Sequence, residues 1–147
     1  MPGLTRRELE RLSYRKQPNS ELKPEALGVL LTLISVAEYH KPLPGKEVLT
    51  RLFSKRQDTP ARLKNAIAFV DRFEGRTLAT YTDMVDAAQQ AGILRRMNPG
   101  HENSVPELTP LDAQHVLRMS QADFGAEVQW LTSVLAELEH AAPGTGP

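Results

Sequence analysis

The chain contains no cysteine, which excludes disulfide bonds, thiolate zinc sites and cysteine nucleophiles together. That absence is compatible with a reducing compartment, and a cytoplasmic location is the expectation. No apolar run reaches the roughly 18 to 20 residues of a membrane span, and the first residues lack a signal peptide's apolar core, so no membrane association is expected. Catalytic motifs are also missing. His40, His101, His115 and His140 have no metal-ligand spacing. Gly45-Lys46 lacks the preceding glycine of a phosphate loop, because His40 holds that position. Neither Gly-x-Ser-x-Gly nor His-Glu-x-x-His occurs. The expectation is a protein that is not an enzyme and that carries no metal and no cofactor.

What is present becomes visible once the charge is split. The 147 residues sum to a net charge of zero, but residues 1–100 hold 17 basic against 11 acidic side chains and residues 101–147 hold 1 against 7. A basic body facing a polyanion, with an acidic C-terminal region free for a protein partner, would look like this. Two solvated charged faces would give the same imbalance.

Residues 1–23 read as a basic N-terminal arm, with a short helix over 5–16. Thr5 and Glu8 have capping-box spacing, and Arg6, Arg7, Arg11, Arg15 and Lys16 are placed to lie along phosphates. From Pro24 to Tyr39 the apolar residues surround most of a helix, which marks a buried central element. Lys41-Pro42-Leu43-Pro44-Gly45 closes it. A short helix is expected over 46–54. A second follows over 61–73, with Leu63, Ala66, Ile67, Val70 and Phe73 on one stripe. Glu74 to Thr77 reads as a tight turn, and residues 78–91 as a helix with Tyr81, Met84, Val85 and Ala88 inward.

Gly92 then suits a left-handed helix stop. Ile93 to Met97 is an apolar-basic strand, Asn98 to Ser104 a polar tip, and Val105 to Leu108 the returning strand, with Pro106 favouring an edge. Thr109 is placed to cap a helix beginning at Pro110. A longer helix over 121–140 spaces Phe124, Val128, Leu131, Leu135 and Leu138 at intervals of 4, 3, 4 and 3, an a/d seam. That seam is expected to form a dimer contact. Packing back on its own domain is the other reading, because Trp130 and Val134 broaden the stripe. Residues 142–147 read as a disordered tail.

Helix, glycine stop, strand, polar tip, strand and helix cap follow one another in that order. Ala87-Ala88-Gln89-Gln90-Ala91-Gly92-Ile93-Leu94-Arg95-Arg96, followed by Glu107-Leu108-Thr109-Pro110, resembles the layout of winged helix-turn-helix regulators of the PadR type. Gln17 to Leu31 is similar to the approach to the first helix in winged-helix domains of phage and plasmid replication proteins. Two departures stand out. Asp112 occupies the position where PadR-type proteins have glycine, and one helix too many separates the central helix from the recognition helix. Either 46–54 or 61–73 would be the first helix of the helix-turn-helix.

The resemblance implies a mainly α fold: a winged helix-turn-helix domain over 24–110 with a small two-stranded β wing, and added C-terminal helices over 111–141. It implies double-stranded DNA binding by a homodimer, in transcriptional regulation or in genome maintenance or replication. Arg76, Thr77 and Thr80 are placed for phosphate at the start of the recognition helix. Thr82 and Gln90 lie on its exposed face, and Arg95, Arg96, His101 and Asn103 on the wing. Asp83 and Asp86 share the exposed face and repel phosphate. They keep a second reading open, a winged-helix module that binds a protein rather than DNA.

Overall fold

The central helix α1 (Pro24–Tyr39) is buried without interruption from Ala26 to Ala37. Its sequence leaves no polar face, so helices must cover it on several sides. In a computed structural model, which describes residues 21–73, 75–96 and 104–145, three helices do so: α3 (Tyr81–Gln90), α4 (Pro110–Met119) and α5 (Gln121–Thr145). The other elements are α2 (Lys46–Ser54), a 3-10 turn at Ala61–Leu63, and strands β1 (Phe69–Arg72), β2 (Gly75–Leu78), β3 (Leu94–Arg96) and β4 (Ser104–Pro106). The chain is mainly helical, with two separate two-stranded antiparallel sheets among the described residues. No helix among them is long and apolar enough to cross a membrane. Residues 1–20 of the basic arm expected over 1–23, the tip residues His101 and Asn103, and residues 146–147 lie outside the described residues.

Most boundaries follow from local chemistry. Pro24 opens α1 and Glu25 sits in its first turn, while His40 ends it in the left-handed conformation (φ 57°, ψ 38°). Gly92, at φ 79°, turns the chain out of α3 into β3. Thr109 caps α4 by accepting from the Asp112 backbone N–H at 3.1 Å, with Pro110 in the first helical position. Strands β3 and β4 pair Leu94 with Pro106 and Arg95 with Val105. Pro106 is tolerated because a two-stranded sheet has only edges.

The segment 61–73 is not the helix that its spacing predicts. Leu63, Ala66 and Ile67 are buried as that stripe requires, but they sit in a 3-10 turn and the irregular turn after it. The chain then becomes β1, in which Val70 is half-buried, and Phe73 beyond it is 105% exposed. Phe69, Val70 and Phe73 favour extended backbone, and Gly75 (φ 128°) supplies a turn conformation open to glycine. Residues 75–77 of the expected tight turn at 74–77 are instead the start of β2, whose register runs from Phe69–Leu78 to Arg72–Gly75, and Glu74 lies outside the described residues. The helix expected from Leu78 begins at Tyr81. A hairpin therefore replaces the surplus helix and separates α2 from α3.

The C-terminal seam lies inside the molecule. Phe124, Val128, Leu131 and Leu135 belong to the chain's own core, and Leu138 is packed against it. Trp130 and Val134 are buried with them, so the stripe is wide enough to be covered by α1 and α2. The helix bends near its start, where Phe124 leaves helical geometry (φ −131°, ψ 16°). It runs on to Thr145, through residues that the sequence assigns to a disordered tail.

One contact sets the distance between the two innermost helices. A Cβ added at Gly28 on α1 would stand 2.6 Å from the Met84 carbonyl carbon on α3, and closer still to two further Met84 backbone atoms. Backbone meets backbone here, with no flexible side chain to yield. Gly28→Ala is expected to cost about 3 kcal/mol, near the top of the usual overpacking range. Urea unfolding followed by circular dichroism checks this, and a midpoint equal to that of the native chain would show that the helices do not meet at this residue.

Candidate nucleic-acid interface

Several cations of the basic body are committed internally. Arg56, just after α2, makes a two-point contact with Asp58, Nε to Oδ1 at 3.0 Å and Nη2 to Oδ2 at 2.9 Å. Its Nη1 reaches Glu137 on α5 at 3.4 Å and Ser133 Oγ at 3.2 Å, and the guanidinium lies 5.2 Å from the centre of the Trp130 ring. Arg62 donates to Glu127 at 3.3 Å and to the Asp123 carbonyl oxygen at 2.9 Å. Glu127 is buried, so this pair sits where charge is costly unless matched. The basic body thus neutralises part of the acidic C-terminal region. The charge split seen in the sequence is in part an intramolecular complementarity.

Other cations gather elsewhere. An open cleft of about 490 Å³ is lined by Lys46, Arg72, Arg76, Thr77 and Thr82, with Glu47 as its carboxylate. Lys46 is the first residue of α2, and Thr82 lies in the first turn of α3. Neither helix N-terminus is capped by a side chain. The first turns of both helices and three cationic side chains therefore border one hollow that also holds Glu47, an arrangement able to receive oxyanions. Arg76 is held loosely. Its Nε lies 3.2 Å from exposed Asp71, and its guanidinium stacks 5.4 Å from the Phe69 ring centre. An exposed pair of this kind contributes only about 0–1 kcal/mol and yields readily to a better anion.

The structure brings together three of the residues expected to touch DNA: Arg76, Thr77 and Thr82. Thr80 has a structural task, donating at 2.7 Å to the Ala66 carbonyl oxygen and tying the start of α3 to the turn before β1. Gln90 is exposed at the far end of α3, about 12 Å along the helix from Thr82. Arg95 projects from β3 and pairs with Glu107 at 3.4 Å, both partly exposed. Arg96 is placed in β3 by its backbone. Asp83 and Asp86 are exposed on α3, as their spacing predicts.

Sequence reasoning misses Lys46 and Arg72 as site residues. Helical spacing puts Arg72 and Phe73 on a helix, and only the hairpin that replaces it sets them beside Arg76. The strand-favouring residues Phe69, Val70 and Phe73 ahead of Gly75 were the available signal.

A second hollow of about 320 Å³ lies between α1, the 41–45 loop, α2 and α5 and is mainly apolar, with Tyr39, Pro42, Pro44 and Leu138 in its wall. Among the described residues no group of three or more His, Cys, Asp or Glu is arranged to hold a metal. Compared with protein-family models, with curated proteins and with solved structures, the chain gives no significant match.

The Arg56 cluster carries a pH dependence. Its hydrogen bonds hold the Asp58 carboxyl well below the usual carboxylate range. Trp130 adds a weaker pull, although its Nε1 makes no hydrogen bond of full geometry. A carboxyl whose folded-state pKa is depressed stabilises the fold above its unfolded value, near pH 4, and that contribution is lost as pH falls below it. The native chain is therefore expected to lose more stability between about pH 4 and pH 2 than Asp58→Asn does. Urea midpoints across that range test this; parallel pH profiles would remove Asp58 from the account.

Proposed function

We propose that this protein binds double-stranded DNA through its phosphate backbone, on a winged-helix scaffold. In this reading α3 takes the recognition-helix position and the β3–β4 hairpin is the wing. The cleft at the start of α3 holds phosphates on Lys46, Arg72 and Arg76. The observation that carries the reading is that cleft: three cations, two hydroxyl-bearing residues and two uncapped helix ends around one open hollow. Phosphates two or more at a time fit an open cleft of about 490 Å³ with three cations better than one small anion does.

The exposed aspartates on α3 place the weight on backbone contacts. Asp83 and Asp86 would face groove edges if α3 lay in a major groove, and they repel the phosphates on either side. Binding dominated by backbone contacts is salt-dependent and tolerant of sequence. A homodimer is no longer needed to account for the C-terminal seam, which already packs in its own chain. The role in the cell that follows from such binding is genome maintenance, replication or regulation.

The same aspartates favour a second reading, in which α3 presents its acidic face to a basic protein partner. Fluorescence anisotropy with a random-sequence 20-base-pair duplex separates the two. At low salt the native chain is expected to bind with a Kd in the micromolar range, with log Kd changing linearly against log salt concentration. The triple variant Lys46→Ala, Arg72→Ala, Arg76→Ala is expected to lower that slope by about 2 to 3 units, close to 0.9 for each phosphate no longer neutralised. Arg95→Ala with Arg96→Ala tests the wing in the same way, with a smaller expected change. Absence of binding at low salt, or a triple variant with native slope and affinity, would overturn the DNA reading and favour the protein partner.

A further inference from the structure

The β1–β2 hairpin ends on a feature that phosphate binding does not use. Phe73 follows β1 at the hairpin tip and is 105% exposed, more than any other large apolar residue described. The other two, Leu111 at 73% and Met119 at 42%, lie on α4. A single exposed apolar residue is ordinary on a protein surface. The position of this one is not. Arg72 and Gly75 are the last paired positions of the hairpin, leaving only two residues to reverse the chain. Such turns favour Gly, Asn, Asp, Ser and Pro, yet a phenylalanine stands here. Arg72 precedes it directly, and Arg76 lies just beyond Gly75; both cations line the cleft.

The base of the hairpin is held firmly. Leu78 is buried, and its N–H donates to Thr50 Oγ1 on α2 at 3.0 Å. The Ala79 N–H donates to the Ala68 carbonyl oxygen at 2.8 Å, one step beyond the last strand pair. Phe69 lies half-buried beneath the Arg76 guanidinium. Four paired residues extend about 13 Å from that base, which sets Phe73 one residue beyond Arg72 and Gly75, the outermost pair and both part of the cleft wall.

We infer that Phe73 is a stacking wedge: it inserts against a nucleobase of the DNA whose phosphates the Lys46–Arg72–Arg76 cleft holds. The preferred substrate is accordingly duplex DNA with a weakened stack, at a mismatch or a bulge. The inference rests on the DNA-binding reading above. A nucleobase offers an apolar π-face within a few ångströms of phosphate, the pairing of surfaces that an aromatic residue next to Arg72 and near Arg76 complements, with Glu74 as its one acidic sequence neighbour. Opening a paired step costs a few kcal/mol, and the cost is least where pairing is already broken. Three cations in an open cleft supply modest binding, so the wedge acts where opening is easiest.

The test uses the full chain with two 20-base-pair duplexes, one fully paired and one carrying a central mismatch beside a 2-aminopurine. The native chain is expected to bind the mismatched duplex about tenfold more tightly than the paired one, and to change the 2-aminopurine fluorescence on binding. Phe73→Ala is expected to lose both the preference and the fluorescence change, while keeping the native salt slope on paired duplex. Phe73→Trp is expected to restore both. Phe73 is fully exposed, so neither substitution disturbs packing, and matching unfolding midpoints confirm that. Binding with a native salt slope but no preference that depends on Phe73 overturns the wedge alone. Failure of the native chain to bind either duplex overturns the DNA reading and the wedge together.

Discussion

The close crossing of α1 over α3 at Gly28 is the constraint on which the rest of the fold depends. Because no side chain separates the two backbones, α3 lies directly against the first half of α1, which is buried from Ala26 to Ala37. Everything attached to α3 inherits that position. At its N-terminal end the Thr80 hydroxyl holds the turn that leads into β1. At its C-terminal end Gly92 turns directly into β3. Both hairpins are thus carried on one rigid element. Side chains on them can be set with a precision that loops anchored only at the surface do not reach.

Charge is distributed in two tiers. Arg56 and Arg62 bind the C-terminal helix to the body, through Glu137 and Glu127 respectively, and gain specificity from aromatic neighbours, Trp130 and Phe124. These pairs help to orient α5 on the core. Among the described residues, the one ion pair made by a cation of the cleft is the exposed contact of Arg76 with Asp71. A zero net charge therefore conceals a neutralised side, where α5 packs, and a cleft beside the β1–β2 hairpin lined by three cations and one carboxylate.

Much of the fold was legible because the relevant signals are short-range. Pro24, Thr109-Pro110 and Gly92 each fix a boundary through their own backbone chemistry, and the structure follows them. The all-round apolar character of 24–39 correctly marks the central helix. The failures share a cause: spacing records which residues want burial but not what buries them. Leu63, Ala66 and Ile67 are buried at helical intervals without a helix, because a turn of 3-10 geometry followed by a strand reaches the same core. The seam from Phe124 to Leu135 has the spacing of a dimer contact, and the covering surface is the chain itself. In the candidate site, Arg76 and Thr77 follow from their place at a helix start, and Thr82 from its place on the exposed helix face. Lys46 and Arg72 do not, since their convergence depends on a hairpin folding across the end of α2.

Thr50 gives the hairpin a property of its own. Its hydroxyl donates to the Lys46 carbonyl oxygen at 2.7 Å and accepts from the Leu78 N–H at 3.0 Å. One oxygen thus joins the root of β2 to the axis of α2. Mechanically, the hairpin is a short cantilever with a built-in end, not a hinged arm. A load applied at its tip therefore has a direct path through that hydroxyl into α2.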